Sequence, residues 1–228
     1  MTPAPIHLAG ERLMLDPAGL LAWPAERSLV VADLHFEKGS SLAARHGRFV
    51  PPYDTRETLE RLGLALRRWR PQRLIALGDS FHDAGGAARL CPADAAALHR
   101  LLAGIEMVWV LGNHDPVAPD ALPGTACDEH RAGRLVFRHQ ALPGRIPPGE
   151  LSGHFHPKAT MPTRVGGVTR PCFVADGWRV MLPAFGAYTG GLDAEDPAIS
   201  AHFPRGARLF LLGRDRLYSR PAGMIRAG

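Results

Sequence analysis

The sequence predicts an α/β domain, and three observations predict it. Short leucine-rich or β-branched runs alternate with helical patterns, no repeat or low-complexity tract interrupts them, and polar residues follow directly on the ends of the apolar runs. In chain order, Ser28–Ala32 reads as a buried strand. A helix follows over Thr55–Arg70, with Leu59, Leu62, Leu66 and Trp69 on one face and Arg61, Arg67, Arg68 and Arg70 on a solvated one. Asp54 and Glu57 have the spacing of a capping box, and Pro71 stops the helix. Arg73–Leu77 reads as the next strand, and Pro92–Ala103 as a helix with proline at its first position and Leu98, Leu101 and Leu102 inward. Met107–Leu111 and Leu135–Arg138 read as further strands, followed by weaker ones at Phe173–Ala175, Arg179–Leu182 and Arg208–Leu212. Leu142–Gly149 and Pro162–Pro171, rich in proline and glycine, read as loops, and Tyr188–Pro204 lacks periodicity. No shift in composition divides the chain, so residues 1–228 are expected to form a single domain.

A length of 228 residues supports one sizeable core and is short for two. With 46% apolar and 21% charged residues and a mean hydropathy of -0.08, the composition is that of a globular protein and excludes a disordered chain. No apolar run approaches the roughly 20 residues of a membrane span. Met1–Leu15 lacks a basic start followed by an apolar run, so no secretory signal is expected and the cytoplasm is the expected location. Cys91, Cys127 and Cys172 are far apart and form no CxxC pair, which fits a reducing compartment and small buried residues rather than a disulfide framework or a thiolate zinc cage. The four tryptophans, Trp23, Trp69, Trp109 and Trp178, are read as packing residues. A net charge of +5 and a pI of about 9.6 permit an anionic partner such as nucleic acid. Only Lys38 and Lys158 among the 27 basic residues are lysine, a bias that, with 25 glycines and 21 prolines, matches GC-rich coding and says little about arginine-specific recognition. Histidine, with 11 residues, is the outlier.

The histidines gather where chemistry is expected. The first strand ends in Asp33-Leu34-His35, the second in Gly78-Asp79-Ser80-Phe81-His82-Asp83, and the third in Gly112-Asn113-His114-Asp115. The fourth ends at His139, and a fifth short segment carries Gly153-His154-Phe155-His156. His130, nine residues before His139, lies in a stretch that reads as loop. The C-terminal strand edge is where α/β folds build sites in their loops. Carboxylate, imidazole and one amide oxygen suit Mn²⁺, Fe or Zn²⁺. In an extended chain residues i and i+2 point the same way, which brings Asp33 toward His35 and His154 toward His156. So many ligands exceed one tetrahedral site and suit two ions sharing a carboxylate, the arrangement that clamps the attacking and leaving oxygens of a phosphoryl displacement.

The series DLH, GDSFH, GNHD, His139 and GHFH resembles the calcineurin-like metallophosphoesterase superfamily over roughly Leu29 to Pro157. DLHFEKG, PPYDT and LGDSFHD are similar more narrowly to the bacterial PdeM family, the ligase-associated DNA damage response endonucleases. The resemblance implies a four-layer α/β/β/α sandwich with two mixed sheets. It implies two divalent ions, Mn²⁺ first among the choices and Fe or Zn²⁺ after it. Asp33, His35 and His156 would hold one ion, Asn113, His139 and His154 the other, with Asp79 between them and His114 as the catalytic histidine. The implied activity is a phosphodiesterase or endonuclease acting on DNA in repair, beside a DNA ligase and a helicase, by in-line attack of a metal-bridging hydroxide on phosphorus. The same ligand set serves a phosphatase or phosphodiesterase of small nucleotides. A chain that kept only the fold would be expected to lack ligands or the histidine of GNHD, and all are present. His82 reads as a residue that supports a ligand, shapes its loop or touches substrate, Asp115 as one that orients its loop, supports a ligand or simply makes a turn, and Lys38 as a candidate phosphate contact. Arg45, Arg48 and Arg56 near PPYDT are candidates for extending a nucleic-acid path.

Overall fold

Alternate residues of the central strands face opposite ways, and each way leads into a different core. The computed structural model describes residues 1–46, 53–117, 122–144, 146–164 and 166–223. Its first sheet holds β1 (Ala4–Leu8), β2 (Glu11–Leu15), β3 (Leu21–Trp23), β4 (Ser28–Val31), β5 (Arg73–Leu77), β6 (Glu106–Val110) and β7 (Thr125–Cys127), in that order. Pairing is antiparallel from β1 to β4 and parallel from β4 to β7. The second sheet holds β8 (Glu129–Ala132), β9 (Leu135–Arg138), β10 (Glu150–Ser152), β11 (Lys158–Thr163), β12 (Gly166–Ala175), β13 (Arg179–Met181), β14 (Arg208–Leu212) and β15 (Leu217–Pro221). Its order is β15-β14-β12-β13-β10-β9-β8, with β11 paired to β12, and β10 runs parallel to both β9 and β13.

Val30, Ile75, Leu77, Val108 and Val110 face the second sheet and pack on Phe137, Leu151, Phe173, Val180 and Leu182. Leu29, Val31, Leu74, Ala76, Met107 and Trp109 face the other way, onto helices. Those helices are α1 (Lys38–His46) and α2 (Asp54–Trp69) between β4 and β5, and α3 (Gly86–Arg89) and α4 (Pro92–Leu102) between β5 and β6. The far face of the second sheet buries Cys172, Val174, Met181, Leu209 and Leu211 under α5 (Pro197–Ser200) and its flanks, including Ile199 and Phe203. The expected α/β sandwich with two mixed sheets is therefore present, its outer layers unequal in depth. No helix among the described residues is long and apolar enough to cross a membrane.

Several local expectations change. The capping box does not form: Tyr53 is the N-cap of α2 with no side-chain cap bond, and Asp54 instead accepts the Gly39 N–H at 2.9 Å, tying α1 to α2. Arg70, in left-handed backbone (φ 46) just before Pro71, closes the helix by donating its N–H to Leu66 O. Two arginines assigned to the solvated face are engaged: Arg61 lies 4.7 Å from the Phe185 ring, and Arg68 pairs at 3.0 Å with the fully buried Asp16. Pro162–Pro171 is not a loop but most of a ribbon, β11 against β12, in which Pro162 sits on the edge strand opposite Gly167, where no ladder donor is required of it. His130 lies in β8, and of the three cysteines only Cys172 is buried, its thiol pushed up to about 12 by desolvation. Trp23 and Trp109 are core residues as expected.

Phe137 is fully buried between the sheets, with its ring centroid 6.3 Å from that of Trp23. Phe137→Ala is expected to cost about 3–5 kcal/mol of unfolding free energy, read as a lower midpoint in chemical denaturation.

Candidate metal centre

Strands β4, β5, β6, β9 and β10 all stop at one edge, and the chain beyond them does not stay extended. Asp33 (φ 52), His35 (φ 45), Asp79 (φ 46), His154 (φ 74) and His156 (φ 48) all occupy left-handed backbone, which non-glycine residues seldom adopt. The i, i+2 geometry of a strand is thus not what makes Asp33 and His35, or His154 and His156, converge. Tight left-handed turns do it. Backbone bonds between the loops hold these turns: His35 N–H to Asp79 O at 2.9 Å, Phe36 N–H to Ser80 O at 2.8 Å, Gly153 N–H to His139 O at 2.9 Å and Gly186 N–H to Asp33 O at 3.1 Å.

Two groups of donors result, Asp33, His35 and His156 in one and Asp79, His139 and His154 in the other, each with its ligand atoms within 4.8 Å of one another. In the first, Nε2 of His35 and Nε2 of His156 are 3.2 Å apart and Asp33 Oδ1 is 3.4 Å from His156 Nε2. In the second, His154 Nδ1 and Asn113 Oδ1 lie 2.9 and 2.8 Å from His139 Nε2. Asp79 stands between the groups, Oδ2 at 4.0 Å from His35 Nε2 and Oδ1 at 3.5 Å from His139 Nε2. The donor chemistry fits cations. His139 Nδ1 donates to Leu77 O at 3.0 Å, so in the neutral ring Nε2 is an acceptor, facing the amide oxygen of Asn113 and the Asp79 carboxylate. Acceptors aimed at one another are relieved by a positive ion between them. Burial first, then the neighbouring His156, Lys38, His82 and His114, push His35 down to about 2, and burial with His139 lowers His154, both shifts favouring the neutral ring that a metal ligand requires.

His114 sits half-exposed at the rim. Its N–H donates to Asp79 Oδ1 at 2.9 Å, its Nδ1 donates to His82 O at 2.9 Å, and its Nε2 is 3.9 Å from Asp79 Oδ2. The His82 ring stacks on it at 5.1 Å with a 19° tilt and brings Nδ1 to 3.3 Å from His35 Nδ1, so His82 touches both a candidate ligand and the candidate acid. Asp115 is buried and joins two loops, accepting Ser80 N–H at 2.7 Å and Phe81 N–H at 3.1 Å on one oxygen and Gly112 N–H at 3.1 Å on the other. Desolvation, with the Asp79 charge beside it, pushes its carboxyl up to about 6 against those three bonds. Lys38, first residue of α1, is half-buried near His35 and held low mainly by burial. Arg56 pairs with Asp94 of α4 at 3.7 Å, whereas Arg48 and the side chain of Arg45 lie outside the described residues, as do Pro51 and Pro52 of the PPYDT motif.

Two kinds of residue escaped the sequence reading. Gly112 leaves no room for a side chain, since a Cβ there would collide with the Asp79 carboxylate and lie 2.8 Å from Asp115 Oδ1. Lys158, two residues past His156, acts electrostatically on Lys38. The rarity of lysine in the chain was the available signal for it.

A nuclease of Pseudomonas putida, MPE, is similar over 95% of this chain and 100% of its own, with 31% sequence identity and a TM-score of 0.72. YfcE, a phosphoesterase from E. coli, aligns over 85% of this chain and 97% of its own at 14% identity and a TM-score of 0.41. No protein-family model and no curated protein sequence matches the chain.

Protein prepared without chelator is expected to hold about two divalent ions per chain. Gly112→Ala and Asp79→Asn are each expected to remove at least half of that metal, by elemental analysis of the folded variants. Full occupancy in both would show that Asp79 is not the shared ligand.

Proposed function

The chain belongs to the metallophosphoesterase nuclease family, and from that premise we propose that this metal-dependent phosphoester hydrolase cleaves phosphodiester bonds in DNA. Two ions would be held by Asp33, His35 and His156 on one side and Asn113, His139 and His154 on the other, with Asp79 shared. When bound, such ions lower the pKa of water and neutralise phosphate charge, and the mixed oxygen and imidazole donors suit Mn²⁺, with Fe or Zn²⁺ as alternatives. The proposed setting is DNA repair, beside a DNA ligase and a helicase, as the motif resemblance implies. The meeting of both ligand groups and the His114 backbone at one carboxylate, Asp79, supports the hydrolase, and the likeness to a nuclease over 95% of the chain supports DNA as its substrate.

The remaining work falls to the chain's own groups. His114 is directed at both ends: Nδ1–H is taken by the His82 carbonyl, and Nε2 faces the centre beside Asp79 Oδ2. In its protonated form it carries the proton that the departing oxygen needs at Nε2. Once the proton has gone, neutral His114 keeps its orientation through the His82 bond and is reprotonated from solvent. His82, stacked on the ring, limits its rotation.

Activity on single- and double-stranded DNA in Mn²⁺ is the deciding measurement, set beside an aryl monophosphate and a bis-aryl phosphate. DNA cleavage is expected. Hydrolysis confined to the small esters would favour a small-nucleotide enzyme instead. His114→Ala is expected to lower the rate by about 10²–10⁴-fold with metal content retained, whereas Asp79→Asn loses both. Full activity in His114→Ala would remove it as the acid.

A further inference from the structure

The chain has only two lysines among 27 basic residues, and both stand beside the metal centre. Lys38 follows His35 by three residues and Lys158 follows His156 by two, and the rings of those histidines are in contact, with centroids 5.0 Å apart. The ammonium of Lys158 acts on Lys38, and that of Lys38 acts on His35. Both side chains are half-buried.

The stems are anchored, and the Lys38 head feels the Asp54 carboxylate as well as the Lys158 ammonium. Lys158 N–H donates to Leu192 O at 2.8 Å and Lys158 O accepts Ala194 N–H at 2.7 Å, which pins its backbone to the loop before α5. Gly191 opens the passage for the stem: a Cβ there would collide with the His156 carbonyl and lie 3.1 Å from Lys158 Cε. Among the described residues Nζ has one hydrogen-bond partner, the Thr189 carbonyl at 3.4 Å. Lys38 is fixed at the start of α1, where the nearby Asp54 carboxylate already accepts the Gly39 N–H. Most described arginines near carboxylates are paired, as in Arg89 with Asp83 at 2.8 Å or Arg179 with Glu150 at 3.2 Å. Asp54 offsets part of the Lys38 charge, but two like charges held half-buried within range of one another still repel. They suit an anion.

Lysine is also the right cation for this place. An arginine fork beside Asp33 and Asp79 would make bidentate bonds to the carboxylates meant for metal, whereas an ammonium is a point charge on a flexible stem. The anion is most simply part of the substrate. Tyr188 adds to this, being 45% exposed in left-handed backbone (φ 59) next to the Thr189 carbonyl that Lys158 touches. An exposed ring beside a cationic path is the recurring composition of single-strand binding surfaces.

We infer that Lys38 and Lys158 jointly hold the nucleic-acid phosphate adjacent to the scissile one, so that the pair selects a polynucleotide strand over a small diester. This rests on the DNA reading above and specifies its substrate contacts. The full chain is tested as wild type, Lys38→Ala, Lys158→Ala and the double variant, with Lys→Gln at each position in case alanine impairs folding. Efficiency on a single-stranded oligonucleotide is compared with that on bis-p-nitrophenyl phosphate, which has no flanking phosphate, after metal content and melting temperature are matched. The ratio of the two efficiencies is expected to fall about tenfold per lysine, and the salt dependence of DNA binding to lose about 0.7 from its log–log slope for each. Parallel losses on both substrates, or an unchanged ratio, would overturn the pair. A wild type that hydrolyses the small diester but no DNA refutes the DNA reading and the pair with it. A wild type that cleaves DNA with variants keeping its ratio refutes the pair alone.

Discussion

Everything at the centre depends on keeping five non-glycine residues in left-handed backbone. Asp33, His35, Asp79, His154 and His156 each carry a strain of about 1–3 kcal/mol. A strained turn relaxes unless its surroundings forbid it. Here the loops bind one another, with His35 N–H on Asp79 O and Gly186 N–H on Asp33 O, so no single turn unwinds without breaking bonds in another. Beneath them lie two fully packed faces of the first sheet, one against the second sheet and one against α2 and α4. The cores make the strain affordable, and the strain turns the ends of β4, β5 and β10 toward one point.

This arrangement also explains which buried polar groups are tolerated. Asp79 is shared between the ligand groups and the His114 N–H, and Asp115 takes three backbone N–H groups. Neither carboxylate is left without partners, which is the condition for burying one. Asp115 stitches the loop after β5 to the loop after β6, which fixes Asp79 and His114 relative to one another. Gly112 lies at that seam, packed too tightly against Asp79 for any side chain.

Much of this was legible in the sequence, for physical reasons. Strands β4, β5 and β6 are buried on both faces, so they read as continuous apolar runs, and the ligands sit within a few residues of their ends. β1, β2 and the β11–β12 ribbon did not read as strands because their outer faces are exposed and carry arginine, threonine, proline or glycine. The ligand identities were readable because they lie in short motifs, but the cause of their convergence was not. Extended geometry and left-handed turns both bring residues i and i+2 together, and only φ tells them apart. The role of Asp54 was misjudged because its spacing to Glu57 imitates a cap, while its partner, Gly39, belongs to another helix. Long-range pairings of that kind leave no local trace.

Charge shows the same difference between amount and placement. A net +5 suggests an anionic partner, yet many of the arginines serve the fold. Arg68 neutralises the buried Asp16, Arg138 and Arg179 both approach the buried Glu150, and Arg220 pairs with Glu195. Such pairs add to the basic count without offering anything to a ligand. In a chain whose coding favours arginine so strongly, a lysine is the rarer event, and both lysines stand at the metal rim in no ion pair among the described residues, although Asp54 acts on Lys38. The physical distinction matters there because a guanidinium competes for carboxylates bidentately and an ammonium does so less. Lysine placement, rather than total basicity, is therefore the part of the composition that bears on how a polyanionic strand would meet this site.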